Sequence, residues 1–212
     1  MCFSAQASFV AGIGLLGLGV VTVKSIRNRG ERLYAWIPML FGIQQLVEGA
    51  LWLTFPDHVP ILSRLLTFLF LLFSNVLWPI YVPLAVLALE PIKWRRRMIV
   101  ATATLGATVG VYLLGILVLS PVTACVDGKH ILYDFNNPYD QTTIVLYVIV
   151  TCMSLLFSSH RRVMLFGVAT FVSEVIAYTF YTTWFISVWC FFAAVLSMIV
   201  WWHFMGRRAT HY

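Results

Sequence analysis

Charge is what this sequence has least of. Asp, Glu, Lys and Arg make up 10% of its 212 residues, against about 25% in ordinary soluble domains. A water-facing surface cannot be built from so few charges, which excludes a soluble globular fold. No basic stretch precedes the first apolar run either. The first charge is Lys24, so the N-terminus is not read as a cleavable signal. Nor is Met1-Cys2 read as a lipoprotein site, because no apolar region precedes the cysteine. The net charge of +6 would suit nucleic acid only if it were spread over a face. It sits instead in short clusters at the ends of apolar runs, where Lys and Arg set membrane topology and meet anionic headgroups.

What the chain has in abundance is apolar length. The hydrophobic fraction is 61%, in long runs rather than alternation. A helix needs about 20 apolar residues to cross a hydrocarbon core about 30 Å thick. Spans are read at 8–24, 33–54, 62–89, 98–120, 142–158, 163–182 and 184–205, which nearly exhausts the sequence. Lys24, Arg27, Arg29 and Arg32 follow the first span; Lys93, Arg95, Arg96 and Arg97 follow the third. Arg161 and Arg162 follow the fifth, and Arg207 and Arg208 the seventh. The alternate loops hold Asp57 and Arg64, then Asp127, Lys129, Asp134 and Asp140, then no charge. Every basic cluster thus falls on one side, as the positive-inside rule requires. The expected fold is all-α: an integral membrane seven-helix bundle in one domain, 1–212, with its N-terminus outside and its C-terminus in the cytoplasm.

The loop from about 121 to 141 is the longest and holds Gly128, Pro138 and Asn136-Asn137, residues that favour turns. It is read as an exoplasmic connector in preference to a lid. Cys2 and Cys125 share that side, where a disulfide can persist; a bridge between them is one reading, a reactive thiol or soft-metal ligand at Cys2 another. Cys152 and Cys190 fall within helices and are read as packing residues.

The chain also matches itself at a separation of about 125 residues. Leu40-Phe41-Gly42-Ile43, then Leu46-Val47-Glu48, is answered by Leu165-Phe166-Gly167-Val168, then Phe171-Val172-Ser173-Glu174, with the glutamates displaced by one position. The next spans share a Trp (Trp78, Trp189), an Ala-Val-Leu run and a terminal Arg cluster. Both matched helices run in the same direction, so the expected plan is a 3+1+3 parallel repeat: 1–97 and 142–208, with 98–120 as the linking helix.

Ionisable groups at membrane depth are costly and face the protein interior. Glu48, Glu174 and His203 are the ones here, with Glu90 read as an interfacial ion-pair partner of Lys93 and Arg95. Gln44, Glu48 and Trp52 fall on one stripe of the second helix, with Gln45 beside them. Glu174 lines up with Thr170, Tyr178 and Tyr181. Ser74 and Asn75 sit near mid-membrane on the third helix, above Trp78, Pro79, Tyr81 and Pro83. Glu48, Glu174, Gln44, Gln45, Asn75, Trp52 and Tyr178 are therefore the candidate ligand-binding residues. Hydrogen-bonded helix packing is the plainer role for the amides and for Ser74. His203, after Trp201 and Trp202, is read as interfacial, with proton acceptor as the alternative.

Familiar seven-helix chemistries do not fit. No Lys lies between Trp184 and Met205 to carry a retinal Schiff base. One membrane histidine cannot form a three-His zinc site, since His58, His130, His160 and His211 all fall outside the spans. No metal and no cofactor is expected. Sugar transporters of three-plus-one-plus-three plan share the architecture alone. The opening Met1-Cys2-Phe3-Ser4-Ala5, then Ala7-Ser8-Phe9, resembles an uncharacterised, mainly bacterial family of multi-pass membrane proteins. So does Phe41-Gly42-Ile43-Gln44-Gln45-Leu46-Val47-Glu48-Gly49 with Trp52. That resemblance implies a bacterial inner (plasma) membrane and no activity. The expected function is binding of a small molecule or ion at the intramembrane polar site, as a transporter or transporter-like sensor. The alternatives are an intramembrane enzyme acting on a lipid or other hydrophobic substrate, and a scaffold without a ligand. Membrane lipids are the expected surroundings, nucleic acid is not an expected partner, and a homo-oligomer stays open.

Overall fold

A computed structural model describes residues 4–55, 59–128, 130–135 and 141–205. Among them the chain forms seven helices and one hairpin. We label the helices α1 (Ala5–Val23), α2 (Ile37–Thr54), α3 (Pro60–Leu89), α4 (Lys93–Leu119), α5 (141–156), α6 (Arg161–Phe180) and α7 (Phe185–Met205). Five of these, α1, α3, α4, α6 and α7, are long and apolar enough to cross a membrane, as an integral membrane protein requires. The other two differ from the sequence expectation for distinct reasons. α5 is a shorter apolar helix, and α2, at 18 residues, carries Gln44, Gln45 and Glu48.

Local chemistry sets the helix ends. Ser4 caps α1, its Oγ accepting the Ala7 N–H at 3.3 Å, a partner for one of the orphan donors of a first turn. The 3₁₀ turn Arg29–Glu31 and the short helix Arg32–Ala35 lead into α2. There the buried Glu31 accepts the Arg27 N–H (2.9 Å) and the Asn28 amide (2.7 Å). α4 starts at Lys93, five residues before the expected span, so Arg95, Arg96 and Arg97 ride on its first turns.

Glu90 does not pair with Lys93 or Arg95. Its carboxylate accepts the backbone N–H groups of Ile92 (3.1 Å) and Ser159 (2.7 Å), while Arg95 donates to the carbonyls of Phe157 and Ser158. Charge here satisfies the stripped ends of neighbouring helices rather than opposite charge. His203 lies in the last turn of α7. It is buried, with its ring 5.5 Å from those of Tyr34 and His160.

The loop expected as a plain connector contains an antiparallel hairpin, β1 (Val122–Asp127) and β2 (His130–Phe135), so the fold is not purely α. Asp127 pairs with His130 across a two-residue turn in which Gly128 takes φ +61°, the sign that such turns require. Val122, Ile131 and Tyr133 are buried against Leu51, Phe70 and Leu71. The hairpin thus packs on α2 and α3. The signal lay in Val122 to Val126 and Ile131 to Tyr133, runs dense in β-branched and aromatic residues flanking Asp127-Gly128.

Two helices carry a wider π turn, at Leu72–Leu77 in α3 and Ile149–Met153 in α5. In α3 the Trp78 N–H reaches back to Phe73 O. Pro79 has no N–H, so the Ser74 carbonyl gets no partner from its own helix; the Tyr147 hydroxyl of α5 donates to it instead. At Ser197 the hydroxyl donates to Ala194 O at 2.6 Å and α7 is interrupted between Leu196 and Met198, as back-bonding serines tend to do.

Candidate functional site

α2 brings its whole polar stripe inside. Gln44, Gln45 and Glu48 are fully buried. Glu48 Oε1 accepts the Ser187 hydroxyl of α7 at 2.7 Å and the Tyr133 hydroxyl of β2 at 3.4 Å. Gln44 Oε1 accepts the Trp78 indole N–H at 2.7 Å, and the Phe41 ring stacks on the same indole at 3.8 Å. Neither amide atom of Gln45, nor the indole nitrogen of Trp52, has a hydrogen-bond partner among the described residues. Trp52 packs edge-on to Phe55 and away from the cavity described next.

Glu174 has a different setting. Its one described hydrogen-bond partner is the Cys152 thiol, 3.7 Å from Oε2. The carboxylate borders an interior cavity of about 320 Å³ shared with Ser74, Asn75, Tyr147, Trp189 and Cys190. Much of that volume is narrow, leaving room for about one water molecule. Glu174 also borders an open lateral cleft of about 610 Å³ between α5 and α6, together with Tyr178. Asn75 accepts the Ser74 hydroxyl at 3.2 Å and faces the interior cavity. Both π turns therefore meet at this place, since Ser74 and Asn75 sit in one and Cys152 in the other. π turns are frequent where a helix must present groups to a site.

Of the candidates from sequence, Glu174 and Asn75 line the interior cavity, and Tyr178 lines the cleft beside Glu174. Glu48 and Gln44 are not among the cavity's lining residues; Cys190, on its wall, is within electrostatic reach of Glu48. Gln45 and Trp52 are not among the cavity's lining residues. Cys2 lies outside the described residues; Cys125 is exposed on β1. Cys152 and Cys190, read from sequence as packing residues, are both buried in the core, and the Cys152 thiol also donates to Glu174. Sequence reasoning also missed Tyr133, Tyr147 and Ser187. Tyr133 belongs to the hairpin that was not foreseen, and a lone Ser or Tyr in an apolar run carries no signal of its own. No group of three or more potential metal-ligating side chains occurs among the described residues.

A family model covers the chain from end to end. Residues 1–212 match a family of unknown function, DUF6629. The chain belongs to that family. No curated protein and no solved structure matches it.

Proposed function

We propose that this member of the family is a seven-span membrane protein, N-terminus outside and C-terminus in the cytoplasm, that binds a small molecule or ion at its intramembrane polar centre. It acts as a transporter or transporter-like sensor in a bacterial inner membrane, with lipid around it. The carrying observation is Glu174: a carboxylate at membrane depth, without a basic partner among the described residues, on the wall of a cavity. Such groups mark ion and substrate paths in membranes. Outward-facing apolar side chains such as Ile61, Val111 and Leu119 support contact with lipid.

The duplicated plan gains support from correspondences that sequence alone could not supply. Gly42 lies against α1, where a side-chain carbon would come within 3.0 Å of Gly12 O; Gly167 lies against α5, where one would come within 2.6 Å of Leu155 Cβ. Both glycines of the repeated Leu-Phe-Gly thus admit the helix that begins their own triplet. Glu48 of α2 faces α7 through Ser187, while Glu174 of α6 shares its cavity with Ser74 and Asn75 of α3. A pseudo-twofold axis along the membrane normal would exchange these two relations.

The test is binding and flux in reconstituted vesicles with sodium, methylammonium and a proton gradient as probes. Glu48→Gln with Glu174→Gln should abolish any saturable response of the wild-type protein. An unchanged response in that double variant removes the proposal.

A second reading, an intramembrane enzyme, is favoured by the Cys152–Glu174 contact, a thiol beside a candidate base. It ranks lower because Cys152 is fully buried and no described basic group adjoins it to stabilise a thiolate. Loss of turnover on a lipid substrate in Cys152→Ser, with the fold intact, would reverse that ranking.

A further inference from the structure

The lateral cleft and the interior cavity share a wall, and Glu174 is in it. Ile144 and Glu174 border both spaces. The cleft is otherwise faced by Val145, Val148, Phe171 and Val175, with Tyr178 and Thr179 at its polar edge. Thr179 already donates its hydroxyl to Val175 O at 2.7 Å. Val145, Phe171 and Val175 are exposed, so at membrane depth the cleft opens toward acyl chains. Apart from its open side the cleft holds about 230 Å³, less than pockets for drug-sized ligands, which run from about 300 to 1,000 Å³, and room suited to a slender chain. The interior cavity, by contrast, has room for only about one water molecule. A ligand using both spaces must place a compact head inside and an apolar body in the cleft.

Charge decides the head. Glu174 holds one weak thiol donor and no basic side chain among the described residues. A carboxylate out of water needs a partner of opposite charge or several donors. An ammonium group, with three donors, matches that need in size and sign. Tyr147, Phe185 and Trp189 line the same cavity, and aromatic walls suit a cation. A carboxylate head would bring a second acid to the site, and a hydroxyl head would offer no base to take the proton that a buried, unpaired carboxyl keeps.

We propose that the protein takes up an amphipathic primary amine from the lipid phase, its aliphatic chain in the α5–α6 cleft and its ammonium head on Glu174. This names the ligand class and the route for the site under Proposed function, and it rests on that reading.

The experiment uses the full chain in phosphatidylcholine nanodiscs and follows the thermal unfolding midpoint as probe is added. Dodecylamine should raise the midpoint saturably, and Glu174→Gln should raise its half-maximal concentration tenfold or more. Dodecanol and dodecanoate, with the same chain length, should show no Glu174-dependent shift. Val175→Trp, which fills the cleft and leaves the carboxylate in place, should weaken the response to dodecylamine and not that to methylammonium. Equal responses to dodecylamine in the wild type and Glu174→Gln overturn the inference, as does a dodecanol response matching that of the amine. A Glu174-dependent response to methylammonium with none to dodecylamine also overturns it, assigning access to water; the parent reading then stands. If Glu174→Gln alters neither amine response, the lipid-phase amine is removed. Sodium or proton flux lost in the double glutamine variant would still uphold the parent reading.

Discussion

Glu48 of α2 and Glu174 of α6 are both buried acids, yet their surroundings differ. Glu48 is fully buried and held by a serine on α7 at 2.7 Å and a tyrosine on the hairpin. Glu174 has a single sulfur donor at 3.7 Å and open space on two sides. A carboxylate with one oxygen met by two fixed hydroxyls contributes to packing, and its loss takes away both bonds. A carboxylate facing a cavity can exchange partners. The first is built into the fold, and the second is available to something that comes and goes.

The sharpest way to break this contrast is to truncate each acid. Glu48→Ala leaves the Ser187 and Tyr133 hydroxyls without their acceptor in a buried place, at a cost of about 3 kcal/mol. Glu174→Ala should cost about 1 kcal/mol or less, because water in the adjoining cavity can meet the thiol. Thermal unfolding in detergent compares the two, and equal losses would erase the distinction. Next in size is Ser187→Ala, expected to cost about 1–2 kcal/mol as a donor to a charged or strongly polar acceptor. Tyr133→Phe removes a longer bond, 3.4 Å, and should cost about 0.5 kcal/mol. A larger loss for Tyr133→Phe than for Ser187→Ala would mean that the hairpin, and not α7, holds Glu48.

The smallest effect concerns His130 on β2, outside the spans. Burial pushes its imidazole below the ordinary value of 6.5, with Asp127 pulling the other way. The folded form therefore resists protonation. As pH falls through about 6.5, the unfolded chain takes up the proton first. Stability is then lost until the folded imidazole also protonates. Midpoints recorded from pH 8 to 5 should show a decline that His130→Gln flattens; identical profiles would assign the decline to other groups.

Much of this architecture was legible beforehand because apolar length and intramembrane acid are strong, local signals. The helix pattern and the inward placing of Gln44, Gln45 and Glu48 followed from cost alone: such groups cannot face lipid. Asn75 and Glu174 were found on the same ground, and both line the cavity. What sequence did not disclose depends on contacts between distant elements. Glu90 was assigned to its neighbours Lys93 and Arg95, but the backbone N–H of Ser159 reaches it from another helix. Cys152 and Cys190 read as packing residues and both are buried in the core, but the bond from the Cys152 thiol to Glu174 depends on how α5 and α6 meet. The hairpin was hidden by its brevity, two six-residue strands within a loop marked mainly by turn formers.

The two π turns carry a consequence for how the sequence can change. Each holds one more residue than an α-helical turn would, so each amounts to a tolerated single-residue insertion. Deleting one residue from Leu72–Leu77 would let α3 close into regular helix with the segments on either side near their present orientation, at the cost of the wide turn that presents Ser74 and Asn75. A deletion in the regular part, Pro60–Leu71, would instead rotate one side of α3 against the other by about 100°. Length is thus free to change by one residue at the two wide turns and tightly held elsewhere in those helices.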